Sequence, residues 1–226
     1  MTRHLQNELM RLRRTILLLG GMAEDSVRKA VDSLDKLDIA LANQVIDGDR
    51  KIDEKEVEIE EECLKIIALH QPVAVDLRFI TAVIKINNDL ERVADEAVNI
   101  AERVIEISKQ SIETLPICYK EMGEKSLDML KMSLDSLVNL DSDLAYKVCL
   151  MDDEVDKIND QNYCQVKRAV EKNPLKAGVL LDLLLVSRHL ERIGDHATNI
   201  AEEVIYMIEG EIPRHRYLIN STTDHR

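Results

Sequence analysis

Aromatic side chains make up only 3% of this 226-residue chain, which has one phenylalanine, five tyrosines and no tryptophan, and there are only seven glycines and four prolines. So little material for strands and tight turns excludes a sheet-rich fold and leaves helices as the expectation. Cysteines are also few. Cys63, Cys118, Cys149 and Cys164 show no C-x-x-C spacing and lie in apolar helical patterns, so they are expected to be buried small hydrophobes in a reducing cytoplasm rather than a disulfide or zinc framework. Basic charge is in deficit: 30 Lys and Arg face 43 Asp and Glu, a net charge of -13, with a sequence pI near 5.0. That balance argues against nucleic acid as the main partner, because binding a phosphate backbone depends on Lys and Arg displacing counterions. A cation or a basic partner surface fits better. Long apolar runs are missing too. Arg11, Arg13 and Arg14 followed by Thr15 to Leu19 have the look of a signal-peptide start, but the run meets Glu24 and Asp25 at once. No stretch approaches the roughly 20 apolar residues that span a bilayer. The chain is therefore expected to be cytoplasmic and to reach a membrane only through partners.

What is present is helical periodicity. Leu5, Leu9, Leu12, Ile16, Leu19, Ala23, Val27, Ala30, Leu34 and Leu37 recur at alternating steps of three and four, one continuous helix stripe. Breaks fall near Asp38 to Leu41, at His70-Gln71-Pro72, at Thr114-Leu115-Pro116, near Asp141 and at Asn173-Pro174. Six helices in two sets of three result. Pro72 and Pro174 are expected to form the hairpin turns leading into the third helix of each set, since proline suits a first turn and disfavours helix in the residue before it. Leu90 to Ile105 lies over Leu190 to Ile205 at an offset of 100, with 11 of 16 positions identical, and Asp49 to Asp53 lies over Asp152 to Asp156. The expected fold is all-α: two tandem three-helix bundles made by duplication, over 1–112 and 113–212, with a flexible tail over 213–226.

The apolar identities in the repeat follow from its core stripe: Leu90, Val93, Ala97, Ile100, Ala101 and Val104, repeated as Leu190, Ile193, Ala197, Ile200, Ala201 and Val204. Glu91, Arg92, Asp95, Asn99 and Glu102 also recur, and a core does not require them. Glu91, Asp95 and Asn99 are spaced i, i+4, i+8, as are Glu191, Asp195 and Asn199, which places oxygen atoms along one helix face. Asp49 with Asp53, and Asp152 with Asp156, form similar rows on the preceding helix. Counted from the hairpin turn near Gln71, Asp53 lies 18 residues before and Glu91 20 after, so the levels match to within about 3 Å at a rise of 1.5 Å per residue. If the rows face each other, four carboxylates converge in each unit and need protons, basic neighbours or a cation. Two readings stay open on spacing: a solvated face neutralised by Arg50, Lys51 and Arg92, or hard metal sites. The second gives the ligand set Asp49, Asp53, Glu91, Asp95, Asn99, Asp152, Asp156, Glu191, Asp195 and Asn199, suited to Mg, Mn, Fe or Ca. His189 and His196 stand near the second set but face Asp89 and Glu96 in the repeat alignment, and are left outside it. Enzyme readings find little footing. Glu91 and Glu191 are followed three positions on by Ala94 and Gly194, not the His of a carboxylate-bridged oxidase. Gly20-Gly21 lacks the Lys-Ser or Lys-Thr of a P-loop and is expected to let helices approach closely. No Ser-His-Asp or Cys-His pattern appears, so no catalytic residue is assigned.

Leu190-Glu-Arg-Ile-Gly-Asp-His-Ala-Thr-Asn-Ile-Ala-Glu202 resembles the signature helix of the PhoU family, the phosphate transport system accessory proteins, and Asp89 to Asp95 with Asn99 to Glu102 is a close variant. Pro72-Val-Ala-Val-Asp-Leu-Arg78 resembles the family's approach to its third helix, and Asp49-x-x-x-Asp53 and Asp152-x-x-x-Asp156 resemble its acidic pairs. The similarity runs from the Leu5 helix to about Gly210. It implies two tandem PhoU repeats in a cytoplasmic, often dimeric protein whose acidic pairs hold divalent or trivalent metal ions. It further implies a negative regulator that restrains the phosphate ABC transporter, through its ATPase, and a phosphate-sensing histidine kinase when phosphate is plentiful. Ala94 departs from the Gly at 194, and Lys176-Ala-Gly178 stands where the second repeat would need an Asp-Leu-Arg. A carboxylate-bridged metal enzyme and a metal-free helical adaptor are the alternatives.

Overall fold

In a computed structural model, which describes residues 3–110 and 117–211, the chain folds into six long helices: α1 (Arg3–Lys36), α2 (Ile39–His70), α3 (Val75–Ser108), α4 (Tyr119–Asn139), α5 (Ser142–Lys172) and α6 (Ala177–Glu209). The apolar stripe of α1 is buried at Leu5, Leu12, Ile16, Leu19, Ala23, Val27, Ala30 and Leu34, with Leu9 and Leu37 half-buried against it. Local chemistry sets the boundaries. Leu37 and Leu140 adopt left-handed backbone, with φ of 48° and 53°. Each is followed by an aspartate, Asp38 or Asp141, whose carboxylate accepts a 3.0 Å hydrogen bond from the backbone N–H of Leu41 or Leu144. This is a helix N-cap, which satisfies one of the orphan donors at the start of α2 and α5. Gln71 closes α2 in the left-handed region. The prolines fall in the turns that lead into the third helices, as expected. Pro72 lies in the loop ahead of α3, and Pro174 begins a single 3-10 turn, Pro174–Lys176, that leads into α6. The expected break at Thr114 to Pro116, the boundary at 112/113 and the tail 213–226 lie outside the described residues.

The first three helices pack together and the last three repeat them, and α3 against α6 is the most extensive helix contact in the molecule. One apolar core runs through both halves, so burial, the dominant driving force, couples the two repeats. A second junction joins α1 to α4. A Cβ on Gly20 would stand 2.6 Å from Cδ2 of Leu134, and one on Gly123 would stand 3.0 Å from Cγ1 of Val31. Gly20 and Gly123 thus permit the close approach, while Gly21 has open space around it. The cysteines depart from expectation: Cys63 is buried, but Cys118 and Cys149 are half-buried and Cys164 is exposed on the outer face of α5. Among the described residues, no helix is long and apolar enough to cross a membrane.

Candidate metal centres

Asp49 and Asp53 flank the buried Ile52 on α2, and Glu91 and Asp95 flank the buried Val93 and Ala94 on α3. Packing the apolar faces together brings the acidic rows within electrostatic reach of one another. Burial, with the charges of Asp53 and Asp95, pushes the Asp49 carboxyl up to about 6. Burial together with Asp95, Asp53 and Glu56 raises Glu91, against the opposing pull of Arg92. Burial, then Asp53 and Glu96, raises Asp95. The second repeat reproduces this between α5 and α6. Burial, with Asp195 and Asp156, pushes Asp152 up to about 6, although Thr198 donates a 3.4 Å hydrogen bond to it. Asp156, Glu191 and Asp195 are all raised, first by burial and then by acidic neighbours. The step from Ala94 to Gly194 leaves the geometry alone, because a methyl at 194 would meet Val155 and Met129 only at ordinary contact distances of 3.6 and 3.7 Å.

Basic side chains do not neutralise these rows directly. Arg50 bonds Glu54 at 3.0 Å and Arg92 bonds Asn88 at 3.1 Å. Among the described residues, no Lys, Arg or His forms an ion pair with any of the eight carboxylates. Asp49 Oδ1 is buried without a hydrogen-bond partner. Asp49, Glu91, Asp152 and Glu191 are half-buried and Asp53, Asp95, Asp156 and Asp195 exposed; carboxylates gathered like this without basic partners are a donor set that a hard cation takes. No three of them bring oxygens within 4.8 Å of one another among the described residues. A cation with oxygen ligands at roughly 2.0–2.6 Å would draw them inward.

Asn99 and Asn199 do not join the rows. At about 100° per residue, a position eight residues on lies about 80° around the helix from its start, against about 40° for a position four on. That turn carries both amides toward the contact between α3 and α6. Asn199 donates to Asp89 at 3.2 Å and Asn99 hydrogen-bonds Glu96. There they meet residues that spacing alone left aside. His189 Nδ1 lies 2.6 Å from Glu96, Arg192 lies 2.9 Å from the same carboxylate, and His196 Nδ1 lies 2.9 Å from Asp89. Lys85 with Glu203 at 2.7 Å and Arg103 with Asp182 at 3.1 Å extend the seam. Although burial acts to raise it, the Glu96 carboxyl is held below its ordinary value by the His189 hydrogen bond and the His189 and Arg192 charges. The available signal was the repeat itself. Asp89 and Glu96 align with His189 and His196, and Arg103 with Glu203, so the two copies differ in charge where their third helices cross.

The two sets of shifted carboxyls give the metal-free protein a two-part pH profile. Asp49 and Asp152 hold protons more tightly folded than unfolded, so their ionisation costs stability above about pH 6, and the cost disappears by about pH 4. Glu96 acts in the opposite sense. Its contribution is complete above the ordinary carboxyl value and is lost as pH falls through its lowered folded value. In EDTA the melting temperature should therefore rise between pH 7.5 and 5 and fall again at more acid pH. Saturating Mn should flatten the rise, because bound metal displaces the same protons. Thermal scans across pH, with and without Mn, check both signs.

Residues 16–104 and 119–204 each match the PhoU domain. The Clostridium acetobutylicum phosphate-specific transport system accessory protein PhoU homolog is 36% identical over 213 residues, 93% of this chain and 97% of that protein. The Escherichia coli K12 phosphate-specific transport system accessory protein PhoU is 32% identical over 208 residues, 92% of this chain and 86% of its own length. The crystal structure of PhoU from Pseudomonas aeruginosa superposes with a TM-score of 0.89 at 36% identity, covering 91% of this chain and 99% of that one. With two PhoU domains spanning most of its length and relatives at this identity, the chain belongs to the PhoU family.

Proposed function

We propose that this protein is a non-enzymatic negative regulator of phosphate uptake and phosphate-responsive gene expression. In this reading it acts in the cytoplasm as a homodimer and restrains the phosphate ABC transporter, through its ATPase, and a phosphate-sensing histidine kinase when phosphate is plentiful. Metal ions at Asp49, Asp53, Glu91 and Asp95, and at Asp152, Asp156, Glu191 and Asp195, fix the relative positions of α2 with α3 and α5 with α6, and so the faces offered to partners. The observation that carries the reading is the end-to-end match to proteins named as accessories of phosphate-specific transport. The duplicated acidic rows, unneutralised by direct ion pairs, support the metal component. The enzyme alternative lacks the Glu-x-x-His that a carboxylate-bridged oxidase would present.

Expression of a phosphate-regulon reporter in phosphate-rich medium tests the role. Cells lacking this gene should express the reporter strongly and fall silent on complementation. Reporter expression that stays low in both strains would reject the regulatory reading.

A further inference from the structure

Apart from the acidic rows, three side chains converge at the opposite end of the first repeat. His4 and Glu8 stand one turn apart on α1, and His70 is the last residue of α2, brought alongside by the antiparallel hairpin. His4 Nε2 lies 3.3 Å from one Glu8 oxygen and His70 Nε2 lies 2.6 Å from the other. The two imidazoles meet edge to face with centroids 5.6 Å apart, and one ligand atom from each of the three residues lies within 4.8 Å of the other two. Glu8 and His70 are mostly buried, with side chains 18% and 16% exposed. Glu8 Oε2 and His70 Nε2 themselves are sealed from solvent. Despite their proximity they are not aligned for a hydrogen bond, so neither atom has such a partner.

We infer that His4, Glu8 and His70 form a third metal site, chemically unlike the carboxylate rows, that takes zinc or another borderline divalent ion. Two imidazole nitrogens and one carboxylate oxygen are the donors that Zn, Co, Ni or ferrous iron prefer, whereas Mg and Ca favour oxygen alone. Metal–ligand bonds of roughly 2.0–2.1 Å in a tetrahedral site place neighbouring donors roughly 3.3–3.4 Å apart. His4 already meets that spacing at Oε1 of Glu8, while His70 stands against the other oxygen, Oε2, and needs to open by about 0.7 Å. Two buried donor atoms in contact without a hydrogen bond each keep a lone pair available to an ion. The bland alternative is an ion pair between Glu8 and a protonated His70 at the C-terminus of α2, where a cation is favoured. That reading pairs His4 with the other Glu8 oxygen as an exposed i,i+4 contact, but it calls for an aligned hydrogen bond between Glu8 and His70, which is missing. A bound ion would staple the first turns of α1 to the end of α2, beside the Gln71 to Ala74 loop that presents the exposed Val73. Three protein ligands leave further coordination positions for water or for a ligand from a partner.

Zinc titration of the EDTA-stripped full chain, by calorimetry in excess Mg to occupy the carboxylate rows, tests the site. The wild-type protein should bind one zinc equivalent that Mg does not displace. His70→Gln and His4→Gln, each confirmed as folded by circular dichroism, should weaken that equivalent by about a hundredfold, at least as much as losing an outer-shell partner costs. Asp95→Asn with Asp195→Asn should leave it in place, as should His215→Gln with His225→Gln. Zinc affinity unchanged in both the His4 and His70 variants, or lost with His215 and His225 instead, overturns the assignment.

Discussion

Glu96→Ala should destabilise the protein by about 2–3 kcal/mol, because it leaves two donors at the centre of the seam facing an empty acceptor position. Glu96 is only 3% exposed and receives both His189 and Arg192. Its loss strands His189, while Arg192 is exposed enough to turn toward water, which keeps the cost below that of a fully buried charge. For a chain of this length the corresponding fall in melting temperature is roughly 5–10 °C. Exchanging the partners, Glu96→His with His189→Glu, should recover much of the loss, and a double-mutant cycle should return a coupling of about 1–3 kcal/mol. Calorimetric melting of the four proteins gives this number directly. A coupling near zero would reduce the seam to apolar contact alone. The charge asymmetry also sets which helices pair. Two copies of α3 brought together in the same antiparallel register would set Asp89 against Glu96, like charge against like, whereas α3 with α6 sets each against a histidine. A difference between the repeats thereby favours closure of the six helices within one chain.

Period and punctuation made the helices legible, because a 3.6-residue stripe and a hairpin turn are both local patterns. The stripe Leu90 to Val104 and its copy Leu190 to Val204 are buried throughout, since the same residues that define the period are those that fill the core. Relative height along paired helices was legible for the same reason: counting outward from Gln71 and Asn173 predicts which carboxylates come level. What local pattern cannot supply is the rotation of a helix face and the pairing of distant helices. Asn99 and Asn199 share a repeat with the acids but lie too far around the helix to join them. The seam partners fall on two sums of residue numbers one helical turn apart, 285 for Asp89 with His196, Glu96 with His189 and Arg103 with Asp182, and 288 for Lys85 with Glu203, Glu96 with Arg192 and Asp89 with Asn199. That relation has meaning only once α3 and α6 are known to run antiparallel against each other. His4 and Glu8 carry visible i, i+4 spacing, yet His70 joins them only through the hairpin. Cys164 was misread because its helix, α5, is amphipathic, and membership in an apolar pattern does not fix which side of the pattern a residue occupies.

Asp95→Asn with Asp195→Asn should have opposite effects on the metal-free and the metal-bound protein. Each substitution removes one charge from the middle of a repulsive set while keeping the side chain's volume. In EDTA at pH 7.5 the variant should therefore melt slightly higher than the parent. A folded state that binds an ion is stabilised by about 2.7 kcal/mol when the free ion is at a hundred times its dissociation constant. With Mn at both sites the parent should therefore gain about 5 kcal/mol, roughly 10–20 °C, and the variant should gain almost nothing. Elemental analysis after dialysis against Mn gives the matching count, with the ions lost from a bundle whose helical circular dichroism is unchanged. The two signs together separate the possible roles of the acidic rows. A salt-bridged face would lose stability on substitution in EDTA and respond to Mn as before. A row of spare surface charge would be indifferent to both. Only carboxylates that repel one another when empty and are bridged when filled give a gain without metal and a loss of the metal response, so Mn retained in the double variant would end the metal reading of these eight residues.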